Sequence, residues 1–225
     1  MQLCYYDGLS LQNQRKSNMD CLLLKERMIG GERCCLAAVC DGVGSLKDGA
    51  FASAAAVQML ISWLNRLESG QRIGLRLRDE LLHINQHIIV EARTRGFHTA
   101  STLSALLLVG EKYYIAHVGD SRIYCLKDGE LELLTCDQVR GGKLAACLGR
   151  SEQLDVIYNE GECGKQAFLV CSDGLYKRMD MSYLHTQLSC VNQRTMRKTL
   201  ERLIQFVVER GEKDNISLAL VICES

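Results

Sequence analysis

Apolar and polar positions alternate along this chain in a pattern that predicts both strands and helices. Six mostly apolar residues, Cys35 to Cys40, run without a polar interruption, as is typical of a strand buried on both faces. Alanine and leucine then recur at helical spacing from Phe51 to Leu67, and a second helical pattern covers about Leu75 to Ala92. This part of the chain therefore predicts a core strand followed by two amphipathic helices.

Beyond residue 100 the period changes from helical to extended. Four successive runs, TLSALLLV, KYYIAHV, RIYCL and LELLT, are separated by short glycine-containing turns, which predicts an antiparallel meander. The turn at Asp128-Gly129 is a plain hairpin signal. Residues 136–164 are the least regular, with a weak helical pattern over Leu144 to Leu148, and we predict a mobile flap there.

The remaining segments complete the predicted order of elements. Strands are also predicted near residues 2–6, 20–27, 167–172 and 216–223, and helices over residues 182–190 and 194–209. Because strands occur in runs and helices in pairs, this order favours an α+β fold with antiparallel sheets over alternating βαβ units. No internal repeat or low-complexity linker divides the sequence, so residues 1–225 are predicted to form one domain.

The composition narrows the classes of function. Lysine plus arginine and aspartate plus glutamate both number 27, so the formal charge of zero gives no strong attraction to nucleic acid or anionic membranes. We expect neither export nor membrane spanning, because the N-terminus does not resemble a signal peptide and no apolar run approaches about 18 residues. The twelve cysteines include no CxxC pair and several lie in apolar runs, which indicates reduced thiols in a cytoplasmic protein.

Four aspartates share one position relative to the predicted strands. Asp41, Asp120 and Asp173 each follow an apolar strand, and Asp214 precedes one. If these strands are neighbours in packed sheets, the carboxylates converge at one edge, where their repulsion is costly without a cation. Oxygen ligands alone favour Mg²⁺ or Mn²⁺ over zinc. The alternative is a set of independent turn residues, since Asp-Gly is also a common hairpin signal.

Five ordered segments of the sequence carry a family resemblance. They are DGVG (41–44), ASTLSALLLV (100–109), HVGDSRIYCLKDGELELLTCDQ (117–138), FLVCSDGL (168–175) and KDNISLALV (213–221). In order and spacing they resemble the metal-dependent protein phosphatases of type 2C, especially the compact bacterial members. The resemblance implies a four-layer α/β/β/α sandwich with two central antiparallel sheets, and a site for two metal ions in a cleft at one end.

The resemblance also implies roles for individual residues. By position, Asp41 matches the carboxylate that bridges two Mn²⁺ or Mg²⁺ ions, Gly42 offers its carbonyl to the second ion, Asp173 and Asp214 bind the first, and Asp120 binds a weaker third ion. The two ions lower the pKa of a bridging water, and the resulting hydroxide attacks the phosphorus of phosphoserine or phosphothreonine. Arg15 matches the arginine that clamps the phosphate, a role that suits its forked guanidinium, although an ordinary surface arginine is the alternative. Asp20 is expected to accept hydrogen bonds behind the metal ligands.

Three features depart from the family pattern. Met19 stands where many members have a glutamate that holds metal-bound water, so we expect weaker occupancy by the second ion. Val43 stands where some relatives carry a histidine proton donor. The proton for the leaving group must then come from water or from another residue. The segment 137–167 is shorter than the usual flap of the family. We expect this difference to affect substrate recognition more than the chemistry of hydrolysis.

These observations lead to one main hypothesis and two alternatives. The main hypothesis is a monomeric, cytoplasmic, Mn²⁺- or Mg²⁺-dependent protein phosphatase that acts on phosphorylated proteins and opposes a bacterial-type Ser/Thr kinase, without nucleic acid or membrane partners. The first alternative is a pseudophosphatase, a regulatory binding module that keeps the fold but turns over poorly, which Met19 and the short flap suggest. A phosphatase that acts on a small phosphoester is the second alternative.

Overall fold

The computed structural model describes residues 3–44 and 48–224. Its strands are β1 (Leu3–Leu11), β2 (Asp20–Ile29), β3 (Glu32–Asp41), β4 (Leu103–Val109), β5 (Lys112–Val118), β6 (Arg122–Lys127), β7 (Glu130–Leu133), β8 (Val139–Arg140), β9 (Lys143–Leu144), β10 (Ile157–Glu162), β11 (Gln166–Cys171) and β12 (Ile216–Glu224). Its helices are α1 (Gly49–Arg66), α2 (Ile73–Arg95), α3 (Asp173–Tyr176), α4 (Met181–Ser189) and α5 (Met196–Glu209). Among these residues, no helix is both long enough and apolar enough to cross a bilayer.

Two antiparallel sheets lie at the centre of the fold. The strand order is β1-β12-β11-β6-β7 in one sheet and β10-β5-β4-β3-β2 in the other. Helices α1 and α2 pack on the second sheet, and α4 and α5 pack on the first. A third apolar cluster fills the space between the sheets. This is a four-layer α/β/β/α sandwich, so the predicted fold class is confirmed.

Strand β3 shows why its sequence is continuously apolar. The odd-numbered residues from Cys35 to Val39 face the other sheet, and the even-numbered residues from Leu36 to Cys40 pack with the helices. Because successive side chains of a strand point to opposite faces, a strand covered on both faces needs apolar residues throughout. The strand ends at Asp41, which it delivers to one end of the sandwich.

The predicted meander is divided between the two sheets, so that prediction is wrong. Strands β4 and β5 belong to one sheet, and β6 and β7 belong to the other. The chain crosses between the sheets at residues 119–121. Gly119 has a φ of +107°, and a Cβ atom there would lie 2.6 Å from the Thr102 side chain, so glycine makes this close crossing feasible. A strand shows the same pattern of apolar and polar residues in either sheet. The sequence pattern therefore does not reveal where the chain passes from one sheet to the other.

The segment predicted to be irregular contains strands and lacks the predicted helix over Leu144 to Leu148. Instead β8 and β9 form a short hairpin, and the backbone of Leu148 exchanges two hydrogen bonds with Ser101 at 2.8 and 3.2 Å. Strand β10 extends the second sheet by pairing with β5. Its sequence, IYNEGE, is half-exposed and polar, which explains why the hydrophobic pattern did not predict it. Mobility of this flap stays a prediction.

We expect Gly174→Ala to destabilise the fold by about 3 kcal/mol, because the site leaves no space for a side chain. Gly174 lies in α3, where an added Cβ atom would stand only 2.0 Å from the backbone oxygen of Asn215. Urea unfolding followed by circular dichroism measures the change. Gly164→Ala is the matched control, since no atom lies within 4 Å of the Cβ position there. Equal unfolding midpoints for the two variants would contradict this packing argument.

Candidate active site

The four aspartates singled out in the sequence lie at one end of the sandwich. They line a single cavity of about 780 Å³, together with Gly42 and the predicted phosphate-binding residue Arg15. The aspartates are Asp41, Asp120, Asp173 and Asp214. The structure thus brings together every residue that the sequence predicted to bind metal or phosphate, although the roles of these residues stay predictions.

The backbone around Asp41 is fixed by neighbouring strands. Its N–H donates to Thr102 Oγ1 at 2.9 Å, and its carbonyl accepts from the Thr102 N–H at 2.9 Å. Gly42 donates to the Met19 carbonyl at 3.2 Å. A Cβ atom on Gly42 would lie 2.6 Å from the carbonyl oxygen of Gly49, at the start of α1. Gly42 is therefore required for close packing of this turn against the helix.

Asp20 lies behind Asp41, directly opposite it in the pairing of β2 with β3. Its Oδ2 accepts a hydrogen bond from Ser172 Oγ at 2.8 Å. Its Oδ1 is buried and has no hydrogen-bond partner among the described residues. Burial raises the pKa of Asp20 to about 6, against the opposing effect of hydrogen bonds from Ser172 and Ser217. A buried carboxylate oxygen without a donor fits a position next to a cation.

Negative charge accumulates around Asp41. Loss of solvent raises the pKa of Asp41 well above its usual range, and the Asp20 and Asp173 carboxylates raise it further. Burial, followed by the charge of Asp173, raises the pKa of Asp120 to about 6. These shifts show that each carboxylate is held near others in a poorly solvated place.

Arg15 and Lys177 each pair with one of these carboxylates. The Arg15 guanidinium donates to both carboxylate oxygens of Asp214, at 2.7 Å from Nε and 2.6 Å from the terminal nitrogen. Burial alone would raise the pKa of Asp214, but the hydrogen bonds from Arg15 and from the Asn215 N–H outweigh it and lower the pKa. The Lys177 ammonium, which directly follows α3, pairs with Asp173 four residues earlier.

The donor set of the site suits a hard divalent cation. Carboxylate and backbone carbonyl oxygens are the ligands that Mg²⁺ and Mn²⁺ prefer, and the orphaned Oδ1 of Asp20 lies beside them. Within residues 3–44 and 48–224, however, no three Asp, Glu, His or Cys side chains are placed as ligands of one ion. Since Asp173 and Asp214 face Lys177 and Arg15, a bound ion would have to displace these two pairs.

Asn215 holds the loop that carries Arg15. Its Nδ2 donates to the carbonyls of Gln12 at 2.8 Å and Ser17 at 3.1 Å. Its Oδ1 accepts from the Met19 N–H at 2.9 Å. One buried amide therefore ties both ends of the loop to the turn that contains Asp214. Sequence reasoning assigned no role to Asn215, although its place next to Asp214 was a usable signal.

Comparison with known proteins identifies the family of the chain. Residues 20–218 match the sequence profile of the family described as protein phosphatase 2C. The chain belongs to the protein phosphatase 2C family. The predicted family is therefore confirmed, and with it the prediction that the chain is a protein phosphatase.

Similar proteins come from several bacteria. The chain is 27% identical over 211 residues to the serine/threonine phosphatase stp of Listeria welshimeri, covering 81% of this chain and 82% of the relative. It is 26% identical over 213 residues to the serine/threonine protein phosphatase PstP of Mycobacterium tuberculosis, covering 82% of this chain. That match includes only 40% of PstP, so the chain spans about two fifths of this relative.

Solved structures show the same fold. PppA, described as a key regulatory component of T6SS in Pseudomonas aeruginosa, superposes with a TM-score of 0.82 at 28% identity, covering 99% of this chain and 100% of PppA. The catalytic domain of PstP in complex with two manganese ions superposes with a TM-score of 0.86 at 22% identity, covering 100% of both chains.

The flap of this protein phosphatase 2C member is anchored next to the site. Val139, Gly142 and Leu144 of the β8–β9 hairpin line the cavity. At the base of the flap, Arg122 binds both oxygens of Asp137, at 3.0 and 2.8 Å. The same guanidinium stacks on the ring of Tyr176 in α3, 3.7 Å from the ring centroid. Arg122 therefore connects β6, the flap and the helix that begins with Asp173.

Proposed function

We propose that this chain hydrolyses phosphoserine and phosphothreonine in proteins and depends on divalent metal ions. The observation that carries the proposal is the convergence of four aspartates and Arg15 in one cavity of a protein phosphatase 2C fold. The naming of stp and PstP as serine/threonine phosphatases supports the substrate class. The two manganese ions of the PstP catalytic domain support the metal requirement.

The residues that would hold Mn²⁺ or Mg²⁺ are those around Asp41. We infer that the Asp41 carboxylate and the Gly42 carbonyl would hold the ions together with Asp173 and Asp214, and that Asp120 would hold a weaker third. Ions bound in this way activate water for attack on a phosphate ester. Asp20, held by Ser172, supplies negative charge behind Asp41 and accepts hydrogen bonds from groups in the cavity.

Arg15 is the proposed phosphate ligand. Its side chain is 56% exposed at the mouth of the cavity, and it already donates two parallel hydrogen bonds to a carboxylate, Asp214. A phosphoryl group presents the same pair of acceptor oxygens. We infer that the guanidinium moves from Asp214 to the substrate phosphate when Asp214 turns to a metal ion. Val43 carries no proton donor, so the leaving oxygen would take its proton from water or from another residue.

The biological setting is inferred from the same observations. We infer that the substrates are proteins phosphorylated by a bacterial-type Ser/Thr kinase. We also infer that the enzyme is a monomer in the cytoplasm without nucleic acid or membrane partners. The balanced charge of the sequence supports the absence of polyanion binding. The 28% identity to PppA across nearly the whole chain supports a regulatory role.

A direct assay tests the proposed activity. The protein should hydrolyse a phosphothreonine peptide and an aryl phosphate in millimolar Mn²⁺, and EDTA should lower both rates by roughly 100-fold or more because no group replaces the activated water. Equal rates with Mn²⁺ and with EDTA would contradict metal dependence. Absence of turnover at millimolar Mn²⁺ would instead support the pseudophosphatase alternative. The presence of all four aspartates predicted to bind metal argues against that alternative. Turnover of the aryl phosphate alone would point to a small-molecule substrate.

Met19→Glu should tighten binding of the second Mn²⁺ ion by about tenfold. The Met19 side chain lines the cavity beside Gly44, so a carboxylate there reaches the water shell of an ion near Asp41. Isothermal titration with Mn²⁺ measures the affinity. Met28→Glu is the matched control, because Met28 is half-exposed and lies nine residues farther along the chain, near the far end of β2, about 30 Å away. Identical Mn²⁺ affinities for Met19→Glu and the unmodified chain would show that this position does not limit metal binding.

A further inference from the structure

Cysteine side chains gather in the space between the sheets, at the end opposite the phosphatase site. The five are Cys4, Cys35, Cys125, Cys163 and Cys223. Strand β12 begins just after Asp214 and places Cys223 nine residues farther on, about 30 Å along the strand. The cluster is therefore remote from the catalytic cavity. A role for these cysteines does not require the proposed phosphatase activity.

Two of these thiols are already close enough for a covalent bond to form after a small movement. Cys4 and Cys223 are direct partners in the antiparallel pair of β1 with β12, and their Sγ atoms are 3.3 Å apart. Opposed residues of antiparallel strands have Cα atoms about 4.5–5.5 Å apart, which lies within the range that a disulfide spans. Rotation about χ1 of either residue is the movement required.

Access and reactivity single out Cys4. It lines two surface cavities, of about 440 and 320 Å³, whereas Cys223 is fully buried. The hydrogen bond from Cys223 lowers the pKa of the Cys4 thiol, burial opposes this, and the nearby Arg33 charge adds to the lowering. Burial instead raises the pKa of the neighbouring Cys35 to about 12. Of the Cys4–Cys223 pair, Cys4, which is 7% exposed, is therefore the thiol that a small oxidant reaches first and that ionises more readily.

In the part of the chain that the structure describes, no three cysteines are placed as ligands of one ion. Cys163 also contacts the Cys223 thiol, so a third sulfur borders the pair. Close thiols with one accessible member are suited to two-electron oxidation.

We propose that Cys4 and Cys223 form a peroxide-sensitive pair that closes into a disulfide between β1 and β12. The Cys4 thiolate attacks one oxygen of hydrogen peroxide, the O–O bond breaks, and the departing hydroxide takes a proton to leave as water. Cys223 then attacks the sulfur of the Cys4 sulfenic acid. The S–S bond forms as the S–O bond breaks, and the Cys223 proton leaves with the hydroxide as a second water. Two thiols lose two electrons and one peroxide gains them.

The bond would change the stability of the chain. Cys4 and Cys223 are 219 residues apart in sequence, so their link would enclose almost the whole chain and restrict the unfolded state. It would also link the edge strand β1, which leads into the loop that carries Arg15, covalently to the neighbouring strand β12. We expect oxidation to raise the melting temperature by about 5–10 °C.

The test uses the full chain with the two exposed cysteines, Cys136 and Cys190, changed to serine so that they cannot cross-link molecules. After treatment with hydrogen peroxide, free thiols are alkylated in denaturant and the protein is digested without reductant for mass spectrometry. The expected product is one Cys4–Cys223 linked peptide that dithiothreitol removes, with the rise in melting temperature reversed by the same treatment. The melting curve of the reduced protein serves as the reference.

Two variants complete the experiment. Cys4→Ser should abolish the linked peptide and the thermal shift, whereas Cys35→Ser, which removes a buried thiol of the same cluster, should leave both. Circular dichroism checks that each variant folds. Disulfide mapping in the chain that keeps both Cys4 and Cys223 tests the proposal even if a variant does not fold. A Cys163–Cys223 link in place of the expected one, or full alkylation of both thiols after oxidant treatment, would overturn the proposal.

Discussion

Asp41→Asn is expected to lower kcat/KM for a phosphothreonine peptide by roughly 100- to 1000-fold while leaving the protein as stable as before, or slightly more stable. Asparagine keeps the shape of the side chain but cannot bridge two cations. It also removes a charge that burial, and then the Asp20 and Asp173 carboxylates, already disfavour, as the raised pKa of Asp41 shows. Peptide hydrolysis at saturating Mn²⁺ and thermal unfolding in EDTA measure the two effects separately.

The control for Asp41→Asn is Asp128→Asn, which changes the other sequence-predicted Asp-Gly turn. Asp128 is exposed in the turn between β6 and β7, with a φ of +51° that asparagine tolerates. We expect activity within twofold of the unmodified chain. If Asp41→Asn kept comparable activity, the role assigned to the carboxylate would be wrong, and if it failed to fold, the predicted stability would be wrong.

These two Asp-Gly pairs show how much the sequence reveals about the site. Asp128 and Gly129 both adopt positive φ in a hairpin turn, as the plain reading predicted. Gly42 instead follows a strand buried on both faces and packs against Gly49. The short amphipathic strands on both sides of Asp128 favoured the hairpin there, whereas the sequence around Asp41 alone also left a hairpin turn open. The repeated placement of aspartates at the ends of apolar strands then predicted the composition of the cavity.

Other features could not be predicted for physical reasons. The run from Leu144 to Leu148 is too short for its period to separate a helix from an extended segment, and backbone pairing with Ser101 decided the outcome. Lys177 approaches Asp173 only because residues 173–176 form a helical turn, which the strand-like pattern before Asp173 does not indicate. Likewise, the contact of Arg122 with Asp137 depends on how the flap folds back. Side-chain pairs across distant segments arise from tertiary packing, which one sequence does not display.

Arg15→Ala is expected to lower kcat/KM by about 100-fold, chiefly through a higher KM, and to weaken inhibition by inorganic phosphate to a similar degree. Arg15→Lys should lie between, because an ammonium group keeps the charge but not the two parallel donors. Stability should change by less than about 1 kcal/mol, since the Arg15–Asp214 pair is largely exposed. Steady-state kinetics with a phosphothreonine peptide and phosphate inhibition constants measure these effects.

Because Arg15 is hydrogen-bonded to Asp214, a second explanation is that Arg15 only orients Asp214 as a metal ligand. The two explanations make opposite predictions. If Arg15 competes with a cation for Asp214, its removal frees the carboxylate, so Arg15→Ala should bind Mn²⁺ more tightly while it binds phosphate more weakly. If Arg15 only orients Asp214, Mn²⁺ affinity should fall and phosphate inhibition should stay unchanged. Arg197→Ala is the matched control: Arg197 is exposed to a similar degree, at 51%, and pairs with Asp7, which lies outside the lining of the cavity. Opposite shifts in Mn²⁺ and phosphate affinity, present in Arg15→Ala and absent from Arg197→Ala, would assign the guanidinium to the substrate.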